Sequence, residues 1–367
     1  MDSNLIPVDG RPGTFLNLSD NTLNTLEGGQ LVKMDLGPSE VHVDTALATF
    51  ATGYKQAGLA ADTVMPIVTT SKMSDVYYEF DPDNEFAGAD GTIAAANGVI
   101  HEVTPKQSTT PFSTTPYALA GFLPLEVLGN QDAILNLQFR TIRTIMAKLM
   151  VNREKRVKTV LFNSANYSGA HLVDLSALAA TRKWNGGSAS TPVRDIQSIC
   201  EASLAPITHM VMSLDTWNAF TVNADVQKFL AFKSNAPALP TLDQRAAFSA
   251  LLGLPMPIVC EARSKTTSGV FPYIWGGSVA LIHQQPGVPA DGMTTATAKT
   301  FRWTGADALV RDASSVDGMG SGGGITVRSM FKQDRGPLGG MYMVVTHRDA
   351  EQFISGQVSG LIKACFA

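Results

Sequence analysis

Apolar residues recur at Leu135, Phe139, Ile142, Met146, Leu149, Val157 and Val160, in steps of three or four that miss one turn at Arg153. That spacing predicts one amphipathic helix from Asn130 to about Asn163, longer than most globular helices. Asn130 is placed to cap it, and Asp132 falls in its first turn, where the positive end of the helix dipole favours a carboxylate. A stripe of this length needs an equally long surface to lie against. The other face reads as basic: Arg140, Arg143, Lys148, Arg153, Lys155, Arg156 and Lys158 against only Asp132 and Glu154.

Around this helix the pattern changes several times. Residues 1 to about 40 have no sustained period and read as an extended arm, and a short helix is expected from Asp44 to Gln56. VYYEF and VIHEV are strand-like runs on either side of the polar stretch DPDNEFAGADGTIAAANG, which predicts a long two-stranded excursion between Val64 and Pro116. An isolated hairpin buries too little to stand alone, so it should rest on another chain. In STPVRDIQSICEASL, Thr191 caps, Pro192 takes the first helical position, and Ile196, Ile199 and Cys200 form an apolar face. ITHMVMSL and MPIVCEA are buried-strand runs; DTWNAFTVNADVQKFL and TLDQRAAFSALLG read as helices, the second ending at Gly253. Helices alternating with buried strands predict an α/β domain from about 190 to 290. TFRWTG, ALVRDA, ITVRSMFKQ and GGMYMVVTHRD return to strands, followed by a short apolar tail.

Composition adds two constraints. The 367 residues carry a formal charge of -4, so the basic helix face is set against a more acidic remainder. That asymmetry points to an anionic partner, either a neighbouring subunit's carboxylates or a nucleic acid, unless the face is merely solvated and internally paired. Charged residues make up 16% of the chain, against about 25% in a typical soluble domain, which suits a protein that hides surface in subunit contacts. Cys200, Cys260 and Cys365 are few, odd in number and far apart, the usage of a reducing compartment. MDSNLIPVDG lacks the charged and apolar regions of a signal peptide, and no apolar run approaches the length that crosses a bilayer.

Candidate chemistry is sparse. GMGSGGG at Gly318–Gly324 satisfies G-x-G-x-x-G, but that mechanism needs a helix N-terminus after the glycines, and ITVRSMF has the pattern of a strand. Asp81, Asp83 and Glu85 alternate like a calcium loop, yet Phe86 stands where glycine is needed and Thr92 where glutamate is needed. No histidine or cysteine pair has metal-ligand spacing, and neither G-x-S-x-G nor a P-loop occurs. FLAF at Phe229–Phe232 and the four tryptophans lack interleaved basic residues and read as packing. The residues therefore predict no catalytic, cofactor or metal site.

Taken in order, ATGYKQAGLAADTVMPIVTTSKMSDVYYEF, YALAGFLPLEVLGN, VNREKRVKTVLFN, RKWNGGSASTPVRDI, HMVMSLDTWNAF, LDQRAAFSALLGLPMPIVCEA and PYIWGGSVALI resemble the major capsid proteins of tailed double-stranded DNA bacteriophages, the Hong Kong 97-type fold, in its lambda-capsid-like branch. The resemblance covers nearly the whole chain. It implies an α+β fold with an N-arm at 1–62, an extended loop at 63–118, a peripheral domain with a spine helix at 119–189, an α/β axial domain at 190–290 and a return to the peripheral domain at 291–367.

The resemblance further implies self-assembly as pentamers and hexamers into an icosahedral head, built in the bacterial cytoplasm and retained in the virion. Partners would be other copies of the chain, a scaffolding protein, a portal, a decoration or cement protein, and packaged double-stranded DNA bound without sequence preference, with no membrane. The basic helix residues become candidates for inter-subunit pairs or for the genome-facing side. Tyr77, Tyr78, Asp81, Asp83, Glu85 and Phe86 become candidates for contacts of the extended loop with an adjacent subunit. Some relatives weld their shells by a Lys–Asn isopeptide bond. This chain offers Lys72 and Lys106 but no asparagine after Asn235, so non-covalent or cement-protein stabilisation is expected. It also lacks a long, charged, helical N-terminal extension, so a separate scaffold is expected. The alternatives are an encapsulin-like nanocompartment enclosing protein cargo and, more remotely, a nucleotide-dependent α/β enzyme using the Gly318 loop.

Overall fold

The computed structural model describes strand segments within residues 5–34, residue 51, and residues 58–78, 108–130, 136–186, 189–233, 245, 249–250, 252–284, 296–305 and 323–366. The expected helix over 44–56, the VIHEV run, ALVRDA and most of TLDQRAAFSALLG lie outside them or reach them only in part. Where an extended arm was expected, β1 (Leu5–Pro7), β2 (Thr14–Asn17), β3 (Thr22–Glu27) and β4 (Gln30–Met34) pair in sequence as an antiparallel meander. Its strands are too short to give a period. The local signal is Gly28-Gly29 between the paired residues Glu27 and Gln30, the composition of a two-residue hairpin.

The body is two sheets joined by one long helix. After α1 (Ala61–Val64) come β5 (Ile67–Thr70), β6 (Ser74–Tyr78), β7 (Thr109–Ser113) and β8 (Thr115–Pro124), then the short α2 (Leu125–Gly129) and the long α3 (Leu137–Leu161). Then β9 (Leu172–Asp174), α4 (Pro192–Ala202), β10 (His209–Ser213), α5 (Leu214–Val222), α6 (Ala224–Lys233), β11 (Met256–Cys260) and β12 (Val279–Ile282) build the α/β half. The chain returns through β13 (Ala298–Trp303), β14 (Ile325–Lys332) and β15 (Gly340–Phe353), and β16 (Gly360–Lys363) follows.

The long helix starts later than expected. Asn136, not Asn130, caps it: the Phe139 N–H donates to Asn136 Oδ1 at 3.3 Å, and Asn130 instead ends α2. Asp132 therefore lies before the helix rather than in its first turn. Its 25 residues make a rod about 37 Å long. Ile142, Ile145, Met146 and Leu149 pack on a sheet in which β15 is the longest strand, pairing with β14, β8 and β13, the last of which also pairs with β5. Gly121 in β8 lets helix and sheet approach closely, since a Cβ there would lie 2.6 Å from Thr141 Cγ2.

The last turns of α3 lie on the second sheet, ordered β11-β10-β12-β16-β9. Alternate residues of its central strands serve two cores. Met210, Met212, Val279 and Leu281 face α4 to α6, whereas Val211, Ala280 and Ile282 face Val157, Leu161 and α1. Burial on both faces explains the uninterrupted apolar runs MVM and VALI. The GLIK of the C-terminal tail is one of this sheet's strands. DTWNAFTVNADVQKFL, expected as one helix, is two. Asn223 breaks it by holding an extended backbone, accepting from Asp225 N–H at 2.9 Å and donating to the Trp184 carbonyl at 2.8 Å.

Candidate assembly surfaces and the buried ionic junction

The seven basic residues of α3 do not share one face. Arg140, Arg143, Lys148 and Lys155 are exposed, and among the described residues none of them has an ion pair. Lys158 is partly buried, with Nζ 5.8 Å from the Phe162 ring. The only acidic residue in α3, Glu154, is fully buried, so the exposed strip is cationic throughout. Arg140 and Arg143, three apart, carry a repulsive cost that no ion pair among the described residues offsets.

Arg153 and Arg156 point the other way, a correction to the single basic face. Arg153 sits four residues after Leu149 and four before Val157, on the buried stripe itself, so the missed turn in the sequence is filled by an ionic residue. Around it converges a network from α1, α3 and the strands β8, β13 and β15. Arg302 of β13 binds Asp349 of β15 with both prongs, Nε at 2.6 Å and Nη2 at 2.8 Å. Arg156 Nε donates to Glu351 at 2.8 Å, and its guanidinium lies 3.6 Å above the Tyr117 ring. Arg153 pairs with Asp62 and donates to the Met65 carbonyl at 3.3 Å. His347 Nε2, Arg153 Nε and Arg156 Nη2 stand 3.4, 3.8 and 3.9 Å from Asp349 Oδ2. Sequence reading missed Asp349, Arg302, His347 and Glu351, which lie in alternating strand patterns with nothing local to mark them.

Burial and charge set the protonation of this junction. Burial lowers the pKa of His347 to about 4, with the Asp349 charge opposing and the three arginines assisting. At Asp349 burial raises the pKa, but the Arg302 hydrogen bond and the charges of Arg302, His347 and Arg153 outweigh it and hold the carboxyl below its usual range. Burial raises Glu154 against its hydrogen-bond donors. The unfolded chain takes up a proton at His347 near pH 6.5 and the folded chain only near 4, so stability falls as pH drops through that window. The loss at this one group is on the order of 3 kcal/mol. Glu154 acts with the opposite sign. Urea midpoints at pH 7, 5.5 and 4.5 are expected to fall less steeply in His347→Gln than in the parent; parallel curves would show that His347 contributes no such term.

The two-stranded excursion is fixed at its root. β6 pairs antiparallel with β7, from Ser74↔Ser113 to Tyr78↔Thr109. Tyr77 and Phe112 stack on Phe301 of β13, with ring centroids at 5.5 and 4.3 Å. Thr114 N–H donates to the Met73 carbonyl at 2.8 Å and Trp303 Nε1 to the Ser71 carbonyl at 2.9 Å. Tyr77 therefore faces its own subunit, and Val76 faces outward, 54% exposed. Tyr78 is the last described residue of β6; Asp81, Asp83, Glu85 and Phe86 lie outside the described residues. Lys72 pairs with Asp75 at 3.2 Å at the turn before β6, and Lys106 is not among the described residues. Gly323 and Gly324 run directly into strand β14, where a dinucleotide loop would open a helix. Among the described residues, no helix is long and apolar enough to cross a membrane.

No family model and no curated protein sequence matches the chain. Solved structures do. A phage-related protein from Bordetella bronchiseptica RB50 superposes with a TM-score of 0.63 at 17% identity, over 89% of this chain and 98% of that one. The capsid of a native GTA particle superposes with a TM-score of 0.50 at 10% identity, over 86% of this chain and 92% of that one. At such identities the likeness speaks for architecture alone, and it extends over most of both chains. The chain has the α+β, Hong Kong 97-type capsid fold that the order of its sequence segments led one to expect.

Proposed function

We propose that this chain is the major capsid subunit of a tailed phage, a structural protein without catalytic residues. Copies assemble as pentamers and hexamers into a closed icosahedral shell around double-stranded DNA, with a scaffolding protein and a portal, and in some settings a decoration protein. The observation that carries the reading is the likeness of fold to the capsid chain of a GTA particle, over 86% of this chain and 92% of that one. Two features of this chain support it. A hairpin clamped at its root and presenting Val76 outward suits a contact with a neighbouring copy. An uncompensated cationic strip on α3 suits either a neighbour's carboxylates or the phosphate backbone, which binds basic residues without regard to sequence.

Reversing the strip tests the second feature. The variant Arg140→Glu, Arg143→Glu, Lys148→Glu, Lys155→Glu is expected to fold normally, because exposed charges contribute within about 1 kcal/mol each. It is expected either to lose shells, which assigns the strip to a neighbour, or to form shells with much less nuclease-protected DNA, which assigns it to the genome. Shells that assemble and retain DNA like the parent would remove the strip from both roles.

A further inference from the structure

The apolar seam of α3 changes partners halfway along. Up to Leu149 it packs on the sheet of β14, β15 and β8; from Val157 it packs on the sheet of β10, β11 and β12. Between the two, at Arg153 and Glu154, the buried face is ionic. A cavity of about 300 Å³ lies beside this step, lined among others by Leu59, Asp62, Met150, Arg153, Glu154 and Arg302. Close packing, which makes protein interiors stiff, is interrupted here.

The segment Leu59–Met65 crosses this step and is held by groups distant in sequence. Its helix α1 has four residues and no side-chain cap of its own. Glu154 supplies the missing acceptor: Ala60 N–H donates to Oε1 at 3.0 Å and Ala61 N–H to Oε2 at 2.9 Å. The same carboxylate accepts from Trp275 Nε1 of the second sheet's side. Arg153 holds Asp62 and the Met65 carbonyl, Gln284 Nε2, two residues past β12, donates to the Val64 carbonyl at 2.7 Å, and Thr300 Oγ1 of β13 donates to the Met65 carbonyl at 3.4 Å. One short segment is thus bonded to the long helix and to both sheets.

We propose that Leu59–Met65 is a clasp locked by Glu154 and Arg153 that fixes the angle between the two sheets, and that breaking the lock lets this angle change. The chemistry suits a device with two states. The bonds to Glu154 are directional and share one carboxylate, so they form or break together, and because a buried carboxylate stripped of its donors is costly, release must bring Glu154 to water or protonate it. The cavity leaves space beside the clasp and the facing turn of the helix. The partners that hold the clasp all belong to its own chain, so the proposal concerns the subunit and stands whether or not the chain encloses DNA.

Hydrogen exchange on the full-length unassembled subunit tests it, with Glu154→Gln and Trp275→Phe. Glutamine keeps the volume of Glu154 but replaces one acceptor oxygen with a donor, facing an amide N–H. Exchange in peptides covering 59–66 is expected to rise about tenfold or more in Glu154→Gln, and less in Trp275→Phe, while β14, β15 and residues 139–149 keep their protection. Spin labels at Gln333 and Val222, one on each side of the step, with Cys200 replaced, are expected to give a shifted or broadened distance in Glu154→Gln. Unchanged protection at 59–66, exchange rising equally everywhere, or an unaltered distance would overturn the proposal. Should Glu154→Gln fail to fold, the exchange pattern of Trp275→Phe decides in the same way.

Discussion

Asp349→Ala is expected to destabilise the subunit by about 3–5 kcal/mol, the largest effect of any single side chain in the junction. Asp349 is fully buried and holds both prongs of Arg302, with His347, Arg153 and Arg156 gathered on its second oxygen. Removing it leaves three guanidinium groups facing one another with only Glu351 and Asp62 to answer them. The loss reads as a lower urea midpoint at unchanged slope. A paired replacement, Arg302→Met with Asp349→Leu, is expected to cost much less than Asp349→Ala alone, because it removes both charges and restores apolar volume. If the single and paired variants cost the same, the pair is ordinary packing and the ionic account is wrong.

Phe301→Ala is expected to cost about 3–5 kcal/mol and to abolish shell formation at concentrations where the parent assembles. Phe301 is 8% exposed and is the surface on which Tyr77 and Phe112 stack. Without it the root of the excursion loses its seat while the helix-on-sheet core around Ile142 and Val345 is untouched. The expected signature is a subunit whose far-UV circular dichroism is nearly normal but whose 67–78 and 109–114 peptides exchange hydrogen faster. Phe301→Leu, which keeps most of the apolar contact, should retain assembly. Shells formed by Phe301→Ala as readily as by the parent would show that the direction of the excursion does not matter to assembly.

Much of this architecture was legible in the residues, for reasons that differ by element. The long helix shows because its apolar period runs over twenty residues, and ITHMVMSL shows because a strand buried on both faces carries consecutive apolar residues, Met210 to Met212. Asn136 was passed over as the cap because Asn130 and Asp132 offer an equally good local signal; only the tertiary placement of α2 decides between them. Arg153 and Arg156 were assigned to a solvent face because a charge on a buried stripe is exceptional. Helical spacing alone, four residues from Leu149 and four to Val157, places Arg153 among buried neighbours. Its partners Asp62, Thr300 and Asp349 are 91 or more positions away, and no local pattern links them. The clasp is illegible for the same reason, since Glu154 caps a helix 93 residues earlier in the chain.

The most direct test of the central claim is electron microscopy of the purified chain, expressed alone and with candidate scaffolding proteins, combined with nuclease protection of any nucleic acid it retains. The account predicts pentamers, hexamers or regular closed shells, and genome-length protected DNA in particles recovered from phage. Shells filled with protein and free of DNA would assign the same fold to a nanocompartment instead. A stable monomer or dimer under every condition would contradict the capsid reading.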